Sequence, residues 1–266
     1  MAREFSATRL PGFATIAIGT FVLLYLPIVT LVVYSFNGNE AIGNWGGLSL
    51  RWYVKAWDNE AVQKATWLTL QIASIAAVLS TIIATMAALG TTRRAAFRGQ
   101  TAVFILINQP IMVPEIVAAA ALLIFFAWIK VATGYQGIGY LLLAHTAFCI
   151  PFAYLPIRAR LEGMDAALEV AASDLYASPW QVFRHITLPL MAPGVVAGAM
   201  LAFVISLDDV IITEFIKSAG QETLPTYMLG QIKRAVTPEI NAVSTVLLGF
   251  TVLLLTASFL ITRKRD

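Results

Sequence analysis

Six apolar runs constrain this chain more than any other feature of its 266 residues: 13–34, 67–89, 102–129, 137–157, 193–216 and 242–261. About 20 apolar residues at 1.5 Å per residue cross a hydrocarbon core of roughly 30 Å, so each run is long enough to span a bilayer as a helix. Composition agrees, since 59% of the residues are hydrophobic and 12% are charged, where a soluble domain carries about 25% charged residues. The chain reads as an all-α polytopic membrane protein of six transmembrane helices, with 1–266 forming one domain.

Several function classes drop out early. The net charge of +3 is small and sits mostly in loops, so it speaks to membrane topology and not to nucleic-acid binding. The single cysteine, Cys149, lies in an apolar run and excludes an intramolecular disulfide. No stretch matches a phosphate-cradling Gly-x-x-x-x-Gly-Lys-Ser/Thr loop or a His-Glu-x-x-His zinc site. The expectation is a non-enzyme without cofactor or metal.

Arg3 and Arg9 precede the first run, which contains Pro27. Its length marks it as an uncleaved, kinked span and not a signal peptide. Residues 37–63 form a polar loop rich in aromatics, with Trp45, Trp52, Tyr53 and Trp57. Such residues anchor a chain at the membrane–water interface; a partner-docking surface is the alternative. Loop cations orient the bundle. With both termini in the cytoplasm, Arg3, Arg9, Arg93, Arg94, Arg98, Arg158, Arg160, Arg184, Arg263, Lys264 and Arg265 lie inside, against seven Lys and Arg outside. Positive charge near span ends favours the cytoplasmic side. The third run carries Pro110, Pro114 and Glu115, and the fourth carries His145, Pro151 and Pro156. Backbone groups freed by these prolines need partners within the bundle or a cavity. His145 reads as a hydrogen-bonded interior residue.

The polar insert of 161–186 falls in the cytoplasm under this topology. Asp165 can cap a helix over 166–175, with Glu169 near its positive end. Leu168, Ala171, Ala172 and Leu175 give it a weak apolar face. Ser178, Pro179 and Gln181 spell a second start with a Ser-x-x-Gln capping box, followed by Trp180, Phe183 and Ile186 on one side. Pro189 and Pro193 then limit or kink the entry into the fifth span. An amphipathic loop packed under the bundle accounts for this pattern as well as a docking element does.

A charge at bilayer depth costs about 2.5–3.5 kcal/mol on insertion scales. Glu115, Asp208, Asp209 and Glu214 fall within the expected spans, and Glu214 has Lys217 beside it near the outer end. On a straight helix from Pro193, Asp208 stands about 22 Å along, with Asp209 about 100° and Glu214 about 240° around from it. All three cannot share a stripe. Asp208 and Asp209, with Glu115 from the third span, are the candidates to line a pathway for a cation. Gly194 and Gly198 form a Gly-x-x-x-Gly step that permits close helix approach, to a helix of this chain or of another.

The insert resembles the EAA loop of ABC importer permeases, which reads Glu-Ala-Ala, three residues, Gly, nine residues, Ile-x-Leu-Pro. Ala171, Ala172, Ile186, Leu188 and Pro189 match it, whereas Val170 replaces the Glu, with Glu169 one place earlier, and Tyr176 replaces the Gly. Within that family the chain is most similar to the second permease of spermidine/putrescine importers. The likeness runs through 34–37, 48–53, Leu207-Asp208-Asp209-Val210, Leu224-Pro225 and 238–242.

The resemblance implies type I importer architecture in a bacterial inner membrane, with a cytoplasmic loop at about 158–188 coupling to ATPases. The loop residues so implied are Glu169, Ala171, Ala172, Asp174, Tyr176, Ile186, Leu188 and Pro189. The partners implied are a second homologous permease, two ATP-binding subunits, an extracytoplasmic solute-binding protein and membrane lipid. Alternating access driven by the ATPases is the implied mechanism, for a polyamine or another small organic solute. A self-sufficient ion-coupled transporter using the intramembrane acids is the rival reading. An intramembrane enzyme lacks any metal-ligand or triad spacing to support it.

Overall fold

The computed structural model describes residues 12–40, 43–93, 97–234 and 237–263. Five of the cations used to orient the bundle, Arg3, Arg9, Arg94, Lys264 and Arg265, lie outside them. The described helices are α1 (Phe13–Ser35), α2 (Arg51–Asp58), α3 (Glu60–Thr92), α4 (Gln100–Met112), α5 (Glu115–Thr133), α6 (Gly139–Glu162), α7 (Ala167–Asp174), α8 (Pro179–Val182), α9 (Leu188–Asp208), α10 (Ile211–Ile216), α11 (Leu224–Arg234) and α12 (Pro238–Arg263). A π-helical turn, Phe183–Thr187, joins α8 to α9. Six candidate membrane spans emerge: α1, α3, α5, α6, the run Pro179–Asp208, and α12 over Pro238–Ala257.

Two expected spans are corrected. The run 102–129 is not one interrupted helix: α4 ends at Met112, Val113 is extended at φ −92° and ψ 135°, and α5 begins at Glu115. Pro114 causes the break, because its ring pushes the preceding residue out of the helical region and it has no N–H to donate. The run 193–216 is also two helices. The span starts upstream of Pro193 and ends at Asp208; Asp209 turns extended at ψ 130°, and α10 starts afresh at Ile211. The angular relation of Asp208, Asp209 and Glu214 on one continuous helix therefore does not hold.

The chain divides into two compact units. The smaller comprises 1–60 and 230–249. Its loop after α1 is built on the buried Asn37. The Asn37 amide donates to the Asn44 carbonyl at 2.8 Å, and its Oδ1 accepts from the amides of Gly46 at 2.7 Å and Asn39 at 3.2 Å. The Trp52 indole N–H donates to the Asn37 carbonyl at 2.7 Å, which fixes the start of α2. Lys55 pairs with Glu239 at 3.2 Å, and the Asn59 amide donates to the same carboxylate at 2.8 Å. The aromatic-rich stretch is thus a fixed structure containing a helix, where the sequence reads as a loop.

The larger unit, 61–229 and 250–266, is organised by the antiparallel pair α6 and α9. Small residues at four-residue spacing on α9, Gly194, Gly198, Ala202 and Ser206, are all buried. A Cβ built on Gly198 would lie 2.6 Å from the Ala153 carbonyl oxygen, and one on Gly194 would lie 2.6 Å from the Arg160 Cβ and 3.1 Å from the Pro156 carbonyl oxygen. Polar contacts continue the register: the Cys149 thiol donates to the Ala202 carbonyl at 3.3 Å, and Arg160 Nε donates to the Leu190 carbonyl at 3.0 Å. The partner of the Gly-x-x-x-Gly step is therefore a helix of this same chain. Without a hydrophobic driving force between helices in lipid, such close approach and carbonyl-directed bonds supply the association. A face of Ala73, Ala76, Ala77, Ala84 and Ala88 on α3 is buried in the same unit, and Thr91 at its end meets the Tyr154 hydroxyl of α6 at 2.9 Å.

Candidate functional site

The polar insert folds as its local chemistry dictates. Asp165 Oδ1 accepts from the Ala167 amide at 2.9 Å at the start of α7. The Ser178 hydroxyl accepts from the Gln181 amide at 3.4 Å while Gln181 Oε1 accepts from the Ser178 amide at 2.7 Å, so the capping box is complete. At the end of α7, the Ala177 amide donates to the Ala172 carbonyl at 3.1 Å and the Tyr176 amide to the Ser173 carbonyl at 3.0 Å. This pair of bonds is a Schellman motif, which requires a left-handed residue at its centre and is normally served by glycine. Tyr176 occupies that position at φ 62°, the single non-glycine residue with positive φ among those described. The tight turn survives the departure from glycine.

Glu169 does not face outward. It pairs with Arg93, just beyond the end of α3, at 3.1 Å, and accepts from the Thr187 hydroxyl at 2.7 Å. One partly buried carboxylate thereby pins α7 both to the end of a span and to the π-turn. Val170, at the position where the family motif has glutamate, is exposed. Ala171, Asp174, Leu188 and Pro189 are exposed, whereas Ala172 and Ile186 are half-buried. The last two border a surface recess of about 340 Å³, together with Leu175, Tyr176, Ala177 and His185.

Pro189 leaves the ladder one donor short, and the chain answers with the π-turn, in which the Leu188 amide reaches back to the Phe183 carbonyl. The proline shifts the register without ending the helix. Pro179–Asp208 is consequently one uninterrupted helical run of 30 residues.

That run ends at the acids. Asp208 is exposed and, among the described residues, has no cation paired with it. Asp209 is its opposite, with a side chain 1% exposed. Its carboxylate accepts from the amides of Ile212 at 3.3 Å and Thr213 at 2.9 Å and from the Thr213 hydroxyl at 2.7 Å, which caps α10. Three donors offset the cost of burying this group. The His145 ring lies alongside. Nδ1 meets the Ser206 hydroxyl at 2.8 Å, Nε2 meets the Thr213 hydroxyl at 2.9 Å, and Nε2 stands 3.5 Å from Asp209 Oδ2. Glu115, half-buried in the first turn of α5, lies near Asp209. Glu214 pairs instead with Lys217 at 2.8 Å. No group of three or more His, Cys, Asp or Glu side chains among the described residues could hold a metal ion.

Sequence reading left His145, Ser206 and Thr213 out of the acid site. Asp209 carried a local signal as an acid able to cap a helix, accepting from the Ile212 amide three residues on. His145 and Ser206 are 61 positions apart and had none.

Comparison with known proteins agrees with this architecture. The family model described as binding-protein-dependent transport system inner membrane component matches residues 80–264. The chain belongs to that family and is a permease subunit of an ABC importer, resident in the inner membrane. It is 37% identical over 244 residues to the putrescine transport system permease protein PotI of Escherichia coli K12, covering 91% of this chain and 87% of that protein. It is 38% identical over 246 residues to the spermidine/putrescine transport system permease protein PotC of Haemophilus influenzae, covering 92% and 94%. Among solved structures, a bacterial ABC transporter that imports the acidic polysaccharide alginate superposes with a TM-score of 0.65 at 14% identity, over 93% of this chain and 92% of that one. The MetNI methionine ABC transporter gives 0.64 at 18% identity, over 78% and 99%. The fold is that of type I importer permeases.

Proposed function

We propose that this permease carries a polyamine, with ATP hydrolysed in partner subunits that dock on the loop at about 158–188. The observation that carries this reading is the uninterrupted run Pro179–Asp208, which begins in the capping box of that loop and ends at an exposed carboxylate that has no paired cation among the described residues. A helix is stiff along its axis, so a displacement of α8 reaches Asp208 as a displacement of the same body. The α6–α9 register of glycine and carbonyl contacts makes α6 move with it. Asp208 supplies an exposed negative charge where the run ends, while the neighbouring Asp209 is buried and bonded as the cap of α10. Such a site suits a small cation, and the relatives PotI and PotC are named for putrescine and spermidine/putrescine transport.

The working assembly in this reading contains a second homologous permease, two ATP-binding subunits and an extracytoplasmic solute-binding protein. This chain then holds no nucleotide site of its own. ATP-driven closure of the ATPases moves the loop, and the permease pair alternates between inward- and outward-facing states. Solute shifts that balance only by binding the two states with different affinity.

Uptake of labelled putrescine or spermidine by the reconstituted transporter tests the reading. Ala172→Asp, which puts a charge beside the recess of the loop, is expected to leave the protein in the membrane and separate ATP hydrolysis from uptake. Normal coupling in that variant counts against docking at the loop. Uptake that survives ATP depletion and collapses with the ion gradient would instead establish an ion-coupled carrier.

A further inference from the structure

The docking loop contains one residue whose conformation is unfavourable for its own chain. A left-handed residue other than glycine costs about 1–2 kcal/mol. Tyr176 holds that conformation at φ 62°, because the Schellman bonds at the end of α7 demand it. Among the described residues its side chain gains no hydrogen bond or burial in exchange, being 98% exposed. Glycine would close the same turn without strain. The ring also does not stand alone: Leu175 is 82% and Trp180 64% exposed, and the recess lies between α7 and the π-turn. Exposed polar residues, Ser173, Asp174, Ser178 and Gln181, are interspersed with them, and Leu168 and Val170 extend the apolar surface along α7. An aromatic ring held out by a strained backbone, beside two further apolar side chains, is a knob awaiting a socket.

We propose that Tyr176 is the residue by which this permease selects its ATP-binding subunit: the ring enters an apolar recess on that subunit, and the phenol hydroxyl meets a polar group at its base. The inference rests on the reading that the 158–188 loop docks an ATP-binding subunit. A buried aromatic at the centre of a protein contact is the kind of side chain that dominates binding, and here binding offsets the backbone strain.

The test uses the complete transporter with its own ATP-binding subunits. Tyr176→Gly and Tyr176→Asn both suit a left-handed backbone and both remove the ring. Each is expected to leave membrane level and thermal stability equal to or above the parent. Each is also expected to weaken retention of the ATP-binding subunit by about tenfold or more and to lower uptake accordingly. Tyr176→Phe retains most of the binding. A residue that matters only to the turn gives the opposite result for glycine, better stability with unchanged or tighter assembly, and that outcome overturns the proposal. Ala172→Asp separates the two levels of the argument. If it uncouples while Tyr176→Gly behaves as wild type, the loop docks but Tyr176 is not the selector. If both behave as wild type, docking at the loop fails too. A photo-crosslinking phenylalanine at position 176 identifies the neighbour directly: attachment to the ATP-binding subunit supports the proposal, and attachment to lipid or to a second copy of this chain overturns it.

Discussion

His145 on α6 and Ser206 on α9 meet through a 2.8 Å hydrogen bond at one end of a helix pair whose other end is closed by Arg160 donating to the Leu190 carbonyl at 3.0 Å. Between these points α9 presents glycine and alanine to the α6 backbone. The pair therefore runs as a single body from the polar loop to the acids at the helix break, and each part of that body can be loosened separately.

Gly198 is where the two backbones come closest. An added Cβ would sit 2.6 Å from a carbonyl oxygen of the α6 backbone, which has little room to retreat. Gly198→Ala is expected to destabilise the protein by about 1–3 kcal/mol, the usual range for overpacking, seen as a lower melting temperature in detergent. Gly249→Ala, where nothing lies within 4 Å, is the control and is expected to change little.

Glu169 holds α7 through both Arg93 and Thr187. Glu169→Ala leaves the partly buried guanidinium without its carboxylate, at a cost of about 1–3 kcal/mol. The expected phenotype is ATP hydrolysis that no longer tracks uptake, with the permease still in the membrane. Glu169→Gln keeps an acceptor for Thr187 and is expected to fall between. Adding Val170→Glu to the alanine variant does not rescue it, because Val170 is exposed.

Thr213 donates to Asp209 from both its amide and its hydroxyl and also meets His145. Thr213→Val keeps the amide bond and the shape but removes the hydroxyl, for an expected loss of about 1–3 kcal/mol from the buried network. His145→Phe strips a partner from both Ser206 and Thr213 and is expected to cost more. Thermal unfolding of the two single variants and the double variant should show non-additivity, since the two residues share one network. Simple additivity would mean that the ring and the hydroxyl act independently.

Asp208 is exposed and, among the described residues, makes no side-chain bond that a neutral amide would lose. Asp208→Asn is therefore expected to leave assembly and stability unchanged while raising the concentration of polyamine needed for half-maximal uptake. Glu214→Gln removes one of two carboxylates around the partly buried Lys217, Glu222 at 3.5 Å being the other, and is expected to shift stability by about 0–1 kcal/mol, with uptake unaffected. Equal uptake kinetics in the Asp208 variant would remove that residue from the pathway.

What the sequence determined by itself were the properties that depend on neighbours along the chain. Apolar length set the six spans, and Ser178, Pro179 and Gln181 set the start of α8 through a capping box closed within four residues. The spacing from Ala171 to Pro189 pointed to the family, and residues 80–264 bear it out. Tertiary structure decided the rest, because the deciding contacts join distant positions or weigh one local tendency against another. Pro114 breaks its helix and Pro189 does not, since a π-turn absorbs the missing donor only at the second. Two adjacent aspartates read alike in sequence, but the turn after Asp208 sends one carboxylate outward and buries the other against His145, 64 positions back along the chain. Tyr176 could be recognised as a departure from glycine; that its backbone adopts the glycine conformation regardless follows from the Schellman bonds around it.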